Sequence, residues 1–273
     1  MAKSIPQRPC VLVFAGHDPS GGAGIQADIE AIAAQGAHAL PVITALTVQD
    51  NDHAYAVHAV DAQIILQQAM TLMAKIPVAA IKIGIVAHRK NAATLASFIQ
   101  QCRRKQPDLP VVLDPVLGSG HGDALALDDA VASIQPLLAV ATLITPNLPE
   151  ARRLFPEASG IAEQAQRLLQ NACQDVLIKG GHADGAMVRN SWFHRDQMQV
   201  AGEWEWPRLA GEFHGSGCTL ASAIAGQLAV GNSLAQALPQ AQFYTQAALQ
   251  EAYAIADGQL IPQRRAHSIT QRQ

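Results

Sequence analysis

Apolar residues recur along the chain in two alternating rhythms. Short continuous runs, CVLVFA (10–15), AIKIGIV (80–86), PVVLD (110–114), ATLIT (141–145) and DVLIK (175–179), predict buried strands. Between them, stretches with helical spacing predict helices over about 61–75, 90–105, 128–136 and 161–172. Residues 25–35 place Ile25, Ile29 and Ile32 on one helical face, and Gly36 is placed as a stop. HALPVITAL then predicts a second strand, with Pro41 marking its start or an edge. Residues 186–200 predict a β-hairpin around the His194-Arg195-Asp196 turn, followed by helices over about 217–229 and 233–256. The tail after Asp257 is polar and is expected to fray.

Continuous apolar strands separated by helices imply an α/β fold, a mostly parallel sheet with helices on both faces. No linker, repeat or low-complexity segment interrupts the pattern, so residues 1–273 are expected to form one domain with a core over about 10–256.

Composition narrows the function classes. The chain is 49% hydrophobic, 15% charged and carries a net charge of −3, which excludes disorder and argues against broad nucleic-acid binding. Residues 213–250 contain no Asp, Glu, Lys or Arg, but Gln227, Gly231, Asn232, Gln236, Pro239, Gln240 and Gln242 break the run. A membrane-spanning helix needs ~20 mostly apolar residues; two buried helices are expected instead. The apolar stretch near the N-terminus is too short for a secretory signal, so a cytoplasmic location is expected. Cys10, Cys102, Cys173 and Cys218 are widely spaced, and the histidines lack zinc-site spacing.

In an open parallel sheet, ligands bind beyond the carboxyl ends of the strands. Five polar segments follow predicted strands: GHDPSGGAG, TVQDND, Asp114-Pro115, Thr145-Pro146-Asn147 and Lys179-Gly180-Gly181-His182. Any one could be an ordinary turn, but together they predict a site along one rim. Gly22-Ala23-Gly24-Ile25-Gln26-Ala27 also satisfies a loose dinucleotide-loop pattern, although the acidic residue expected about 20 positions on is missing. His214-Gly215-Ser216-Gly217-Cys218-Thr219 opens an apolar helix, where free N–H groups and the helix dipole favour an anion. Cys218 lies at that start, a position that tends to lower a thiol pKa. Asn147 and Glu150 have the spacing of a helix-start capping pair.

GHDPSGGAGIQAD (16–28), ITALTVQ (43–49), KIG (82–84), LDPV (113–116), TPNLPEA (145–151), KGGH (179–182) and HGSGCTLASAIA (214–225) resemble the hydroxymethylpyrimidine/phosphomethylpyrimidine kinases of thiamine biosynthesis. The resemblance runs in order over about residues 10–230. It implies a ribokinase-like fold, ATP with Mg²⁺ as cofactors, a small pyrimidine substrate and a homodimer. It places Cys218 as the catalytic residue and Gly215, Ser216 and Gly217 as the anion hole. Gly16, Asp28, Gln49 and Ile85 fall on the pyrimidine side, and Asp114, Thr145, Asn147, Glu150 and Lys179 on the ATP and Mg²⁺ side. No direct metal-ligand set is assigned.

As a general base, Cys218 would serve the alcohol acceptor more than the phosphate monoester, whose oxygen is already ionised. Two departures stand out. The flap Leu117–Gly122 has no lysine where many relatives carry one, leaving backbone donors and His121, and Phe213 replaces a frequent Thr. The rival functions are a pyridoxal-type vitamin kinase and a catalytically silent pyrimidine-binding sensor.

Overall fold

The computed structural model describes residues 7–170, 173–197 and 199–265. Their strands form one nine-stranded sheet in the order β3-β2-β1-β4-β5-β6-β7-β8-β9. The parallel core comprises β1 (Cys10–His17), β2 (His38–Gln49), β4 (Val78–Ile83), β5 (Val111–Leu113), β6 (Leu143–Ile144) and β7 (Asp175–Ile178). Antiparallel strands flank it: β3 (Ala54–Ala59) at one end, β8 (Met187–His194) and β9 (Val200–Pro207) at the other.

Alternate residues of the central strands feed two hydrophobic layers, as the two-residue period of a strand requires. Leu12, Phe14, Ile81, Ile83, Val111 and Leu113 pack with α2 (Ala62–Met73), α3 (Arg89–Lys105), α4 (Ala130–Leu138), α5 (Leu148–Leu154) and α6 (Ile161–Gln170). Val11, Val13, Ala15, Ala80 and Val112 face α1 (Gly24–Ala34), α7 (Ser216–Ala229) and α8 (Leu234–Gln250). Strand order reverses at β1, which lies between β2 and β4, creating a switch point at the carboxyl end of β1.

The structure bears out the parallel sheet covered on both faces and corrects several details. Pro41 lies inside β2 opposite Val13, not at the strand's start. β3 pairs only with residues 45–49, so Pro41 sits where β2 is an edge of the sheet, which is the second position expected for it. β3 itself was not anticipated, because its small and half-exposed residues give no apolar run. The end of the helix expected over 161–172 lies outside the described residues.

The last predicted helix is also shorter than expected. α8 stops at Gln250, and Tyr253 then pairs with Ile261 in an isolated bridge. The tail is not frayed over residues 257–265. Gln259, Ile261 and Arg264 are buried, and Asn51 Nδ2 donates to the carbonyls of Asp257 and Gln259. Residues 266–273 of the expected tail lie outside the described residues.

Candidate active site

Two adjoining recesses open at the carboxyl ends of the parallel strands. The smaller, a cleft of about 130 Å³, is lined by Gly16, Gln49, Ile85, Asp114, Glu150, Lys179, Gly217 and Cys218. The larger, a groove of about 550 Å³, runs beneath the β8–β9 hairpin past Trp206, Arg208 and Phe213. Asn147, Lys179 and Gly215 line both, so the two recesses meet at the start of α7.

The glycine-rich loop after β1 builds one wall of the cleft. Asp18 organises it, accepting from Ser20 N and Oγ at 2.8 Å and from Ala23 N at 2.7 Å. His214 Nε2 lies 2.7 Å from Asp18 Oδ2, the oxygen that also accepts from Ala23 N. Burial pushes Asp18 up, but hydrogen bonds from His214, Gln49 and Ser20 prevail and hold its carboxyl well below the usual range. Ser20 N and Ala23 N are thus committed to a protein carboxylate. Gly24, at φ 57°, permits tight packing: a Cβ there would meet Gly16 O at 2.3 Å. Gly16 faces Ile85, with Gln49 at the end of neighbouring β2.

Opposite lies the start of α7. Gly215 caps it in the left-handed conformation, at φ 78°, and Thr219 Oγ1 donates to Gly215 O at 2.8 Å. Ser216 lines the groove and Gly217 the cleft. A Cβ on Gly217 would meet Lys179 Nζ at 3.1 Å and Asp114 Oδ2 at 3.5 Å, so a lysine and a carboxylate press on this turn. Free helix-start N–H groups facing an ammonium make an anion site with a cation at its mouth. Cys218 departs from expectation: burial pushes its thiol up despite the pull of Lys82, so it rests as a neutral thiol.

Register carries Asp114, Asn147 and Lys179 to the same rim. Lys179 N donates to Pro146 O at 2.8 Å, extending the pairing beyond β6 and β7. Lys179 Nζ donates to Asp114 Oδ1 at 2.7 Å, and Thr145 Oγ1 donates to the same oxygen at 2.9 Å. Thr145 is wholly buried and lines neither recess; it acts through Asp114, contrary to its placement as a direct contact. Burial penalises both charges of the pair. Even so, Lys179 and Lys82 hold Asp114 below its ordinary value, while Asp114 and Glu150 hold Lys179 above its own.

Asn147 and Glu150 form a reciprocal capping box at α5. Glu150 N donates to Asn147 Oδ1 at 2.8 Å, and Asn147 N donates to Glu150 Oε2 at 2.7 Å. The same two residues line the cleft. Burial raises Glu150 to about 7, against the opposing pull of Lys179 and with reinforcement from Asp114. Two buried carboxyls, Asp114 and Glu150, both line the cleft, and a cation there would relieve their mutual repulsion.

Asp28, placed on the pyrimidine side by the resemblance, lies away from both recesses. It is fully buried in α1. Lys82 Nζ donates to its two oxygens at 2.8 and 2.9 Å, and Ser222 Oγ donates at 2.5 Å. His121 lines the groove, but its Nε2 lies 3.0 Å from Asp52 Oδ1, so the flap's cleft-facing surface is Gly118, Ser119 and Gly120. Sequence reasoning missed Asp18 as the loop's organiser, although its place inside DPSGG was a signal; it quoted Lys82 in the KIG motif without its pairing to Asp28, and it missed Arg264.

Fold and site together define a phosphotransferase of the ribokinase-like class acting on a small molecule. Residues 18–262 match the sequence profile of the phosphomethylpyrimidine kinase family. A hydroxymethylpyrimidine/phosphomethylpyrimidine kinase from Rhizobium meliloti is 37% identical over 91% of this chain and 93% of its own length. The crystal structure of phosphomethylpyrimidine kinase from Clostridium difficile 630 superposes with a TM-score of 0.71 at 29% identity, covering 89% of this chain and 100% of that one. Pyridoxal kinase from Bacillus subtilis, in an ADP complex, gives a TM-score of 0.82 at 25% identity, covering 94% and 98%. The chain belongs to the phosphomethylpyrimidine kinase family.

Proposed function

We propose that the protein phosphorylates 4-amino-5-hydroxymethyl-2-methylpyrimidine with ATP and then phosphorylates the monophosphate to the diphosphate, for thiamine diphosphate biosynthesis. One observation carries this reading: the Lys179–Asp114 pair meets the backbone of Gly217 at the junction of a ring-sized cleft and a larger groove. Phosphoryl transfer needs chiefly positioning and charge stabilisation, and this junction supplies both.

The pyrimidine occupies the cleft between Gly16, Ile85 and Gln49, whose amide offers a donor and an acceptor to a ring nitrogen and an exocyclic amine. The nucleotide lies in the groove, its terminal phosphate against the α7 start and Lys179. The acceptor oxygen attacks the terminal phosphorus, the bond to the bridging oxygen breaks and ADP leaves; the alcohol's proton passes to an oxygen of the transferred phosphoryl group, whereas the monophosphate acceptor is already ionised. Mg²⁺ fits the buried carboxyls of Asp114 and Glu150, because it favours oxygen ligands and keeps several waters. When bound, it neutralises phosphate charge. Cys218 packs against the acceptor as a neutral thiol and is not the resting base.

The family's whole length supports this acceptor over a pyridoxal-type one, and Lys179, Asp114 and Glu150 in one cleft support turnover over a silent sensor. A homodimer belongs to the same reading, supported by exposed Leu46, Val48 and Tyr55 beside the sheet edge at β3; light scattering tests it. To test the reaction, incubate the protein with ATP, Mg²⁺ and the hydroxymethylpyrimidine and follow products by phosphorus NMR. A pyrimidine monophosphate followed by a diphosphate is expected. ATP hydrolysis without pyrimidine phosphate would refute the assignment.

A further inference from the structure

The C-terminal segment reaches back over more than the sheet edge. Leu260 exchanges backbone bonds with the loop before α7, receiving from His214 N at 2.9 Å and donating to Glu212 O at 2.8 Å. Ile261 packs so closely on the glycine-rich loop that a Cβ on Gly22 would meet its Cδ1 at 2.7 Å. Gln263 N then donates to Ala248 O of α8 at 2.9 Å, fixing the strand of chain that delivers Arg264.

The side chain of Arg264 is wholly buried. Its Nη2 donates to Gly22 O, in the loop that walls the cleft. Its Nε donates to Thr219 Oγ1 at 2.7 Å, and that hydroxyl donates to Gly215 O at 2.8 Å. One guanidinium thus spans the two loops between which acceptor and phosphate must meet. Gly215 has little freedom there: a Cβ on it would meet Gly22 O at 2.1 Å and Arg264 Nη2 at 2.9 Å. The charge is also lightly compensated. Its carboxylate partner is Glu30, at 3.3 Å and half exposed to water, while the other acceptors are neutral. A buried cation behind the start of α7 adds to the helix dipole's pull on an anion. Arginine suits the task because its rigid fork binds two acceptors in fixed directions, which a lysine ammonium does not.

We infer that Arg264 is a positioning residue for phosphoryl transfer, joining the glycine-rich loop to the Gly215–Cys218 anion hole and holding Gly215 in its left-handed conformation. It lines neither recess. The inference rests on the phosphotransferase reading, and a misplaced site loses rate steeply even when the change lies outside the reacting groups.

The test compares wild type with Arg264→Met, Arg264→Lys and Glu30→Gln, measuring kcat, KM for pyrimidine and for ATP, and Tm. Arg264→Met is expected to lower kcat by about tenfold or more while KM for ATP stays within about threefold. Arg264→Lys, which keeps the charge but not the fork, should keep Tm near wild type and still lose about fivefold in kcat. Glu30→Gln should leave kcat within about twofold, since it removes only the outer, half-exposed partner. Millimolar guanidinium should restore part of the kcat of Arg264→Gly.

If Arg264→Met lowers Tm but keeps kcat within about twofold, the residue is structural only and the inference falls. Should Arg264→Met not fold, full kcat in Arg264→Lys would overturn it equally. Wild type that makes no pyrimidine phosphate would instead refute the underlying reaction, a result separate from any variant's behaviour.

Discussion

Two lysine–carboxylate pairs sit on neighbouring parts of the sheet and differ in one respect. Asp28–Lys82 has no exposed surface on either side chain, whereas Lys179 and Asp114 retain 13% and 3% and line the cleft. Chemistry is the same; access differs. In the sealed pair, two lysine contacts and the Ser222 hydroxyl converge on the Asp28 carboxylate, and nothing is left for a ligand. In the open pair, Thr145 fixes Asp114 from behind while Asp114 Oδ2 and Lys179 Nζ face Gly217. A buried ion pair specifies structure at little net gain, since desolvation offsets attraction. One left partly open at strand ends can bind charge.

Breaking the sealed pair should have the largest effect on stability. Lys82→Met strands an unpaired buried carboxylate and is expected to cost about 3–5 kcal/mol in denaturant unfolding. Lys82→Met with Asp28→Leu should recover most of that loss. A double variant no more stable than the single would mean the pair is not the unit we describe.

Breaking the open pair should cost less stability than breaking the sealed one, since the cleft admits water to Asp114, and should remove catalysis. Lys179→Met takes away the cation facing the anion site, and kcat is expected to fall by about 10²–10³, the scale for one charge-stabilising donor. Unfolding midpoints should change little by comparison. Unchanged kcat would reassign Lys179 to packing.

Glu150 sharpens the comparison through pH. Folding raises its carboxyl from an ordinary 4.5 to about 7. The proton is held to higher pH when folded, so its contribution to stability is full below 4.5, declines between 4.5 and about 7, and is gone above that. The ionised form is the one that would attract Mg²⁺, so kcat/KM should climb as pH rises through about 7. Glu150→Gln should flatten that climb and be the more stable protein, relative to wild type, at pH 8 than at pH 5. A climb that survives in Glu150→Gln belongs to another group.

The smallest expected effect is a difference that should vanish. A neutral Cys218 thiol gives an alcohol acceptor no advantage over a phosphate acceptor. Cys218→Ala is therefore expected to lower kcat/KM for the alcohol and for the monophosphate by similar factors. A loss about tenfold greater for the alcohol would restore Cys218 as a general base.

The parts of this molecule that were legible in its sequence are those fixed by local patterns. Strands with continuous apolar runs are buried on both faces, so β1, β4, β5 and β7 announced themselves, and the polar segments following them converged on one rim. Contacts that span the chain were not legible. Arg264 looked like part of a solvated tail because its partners, Gly22 and Thr219, lie far away in sequence. Asp28 was placed beside the ligand by resemblance alone, and no local pattern reveals that Lys82 pairs with it across 54 residues. Cys218 lies at a helix start as expected, but burial pushes its thiol up, and the pull of Lys82 and the Gly24 backbone does not offset it.

The central claim is that one cleft, beside the open Lys179–Asp114 pair, accepts both pyrimidine substrates. Crossed inhibition tests it most directly. Each acceptor is titrated against phosphorylation of the other at saturating ATP, with products resolved by chromatography. If they share the cleft, inhibition is competitive in both directions, and each acceptor's inhibition constant equals its own KM. Noncompetitive inhibition, or phosphorylation of one acceptor unaffected by the other, would contradict a single site.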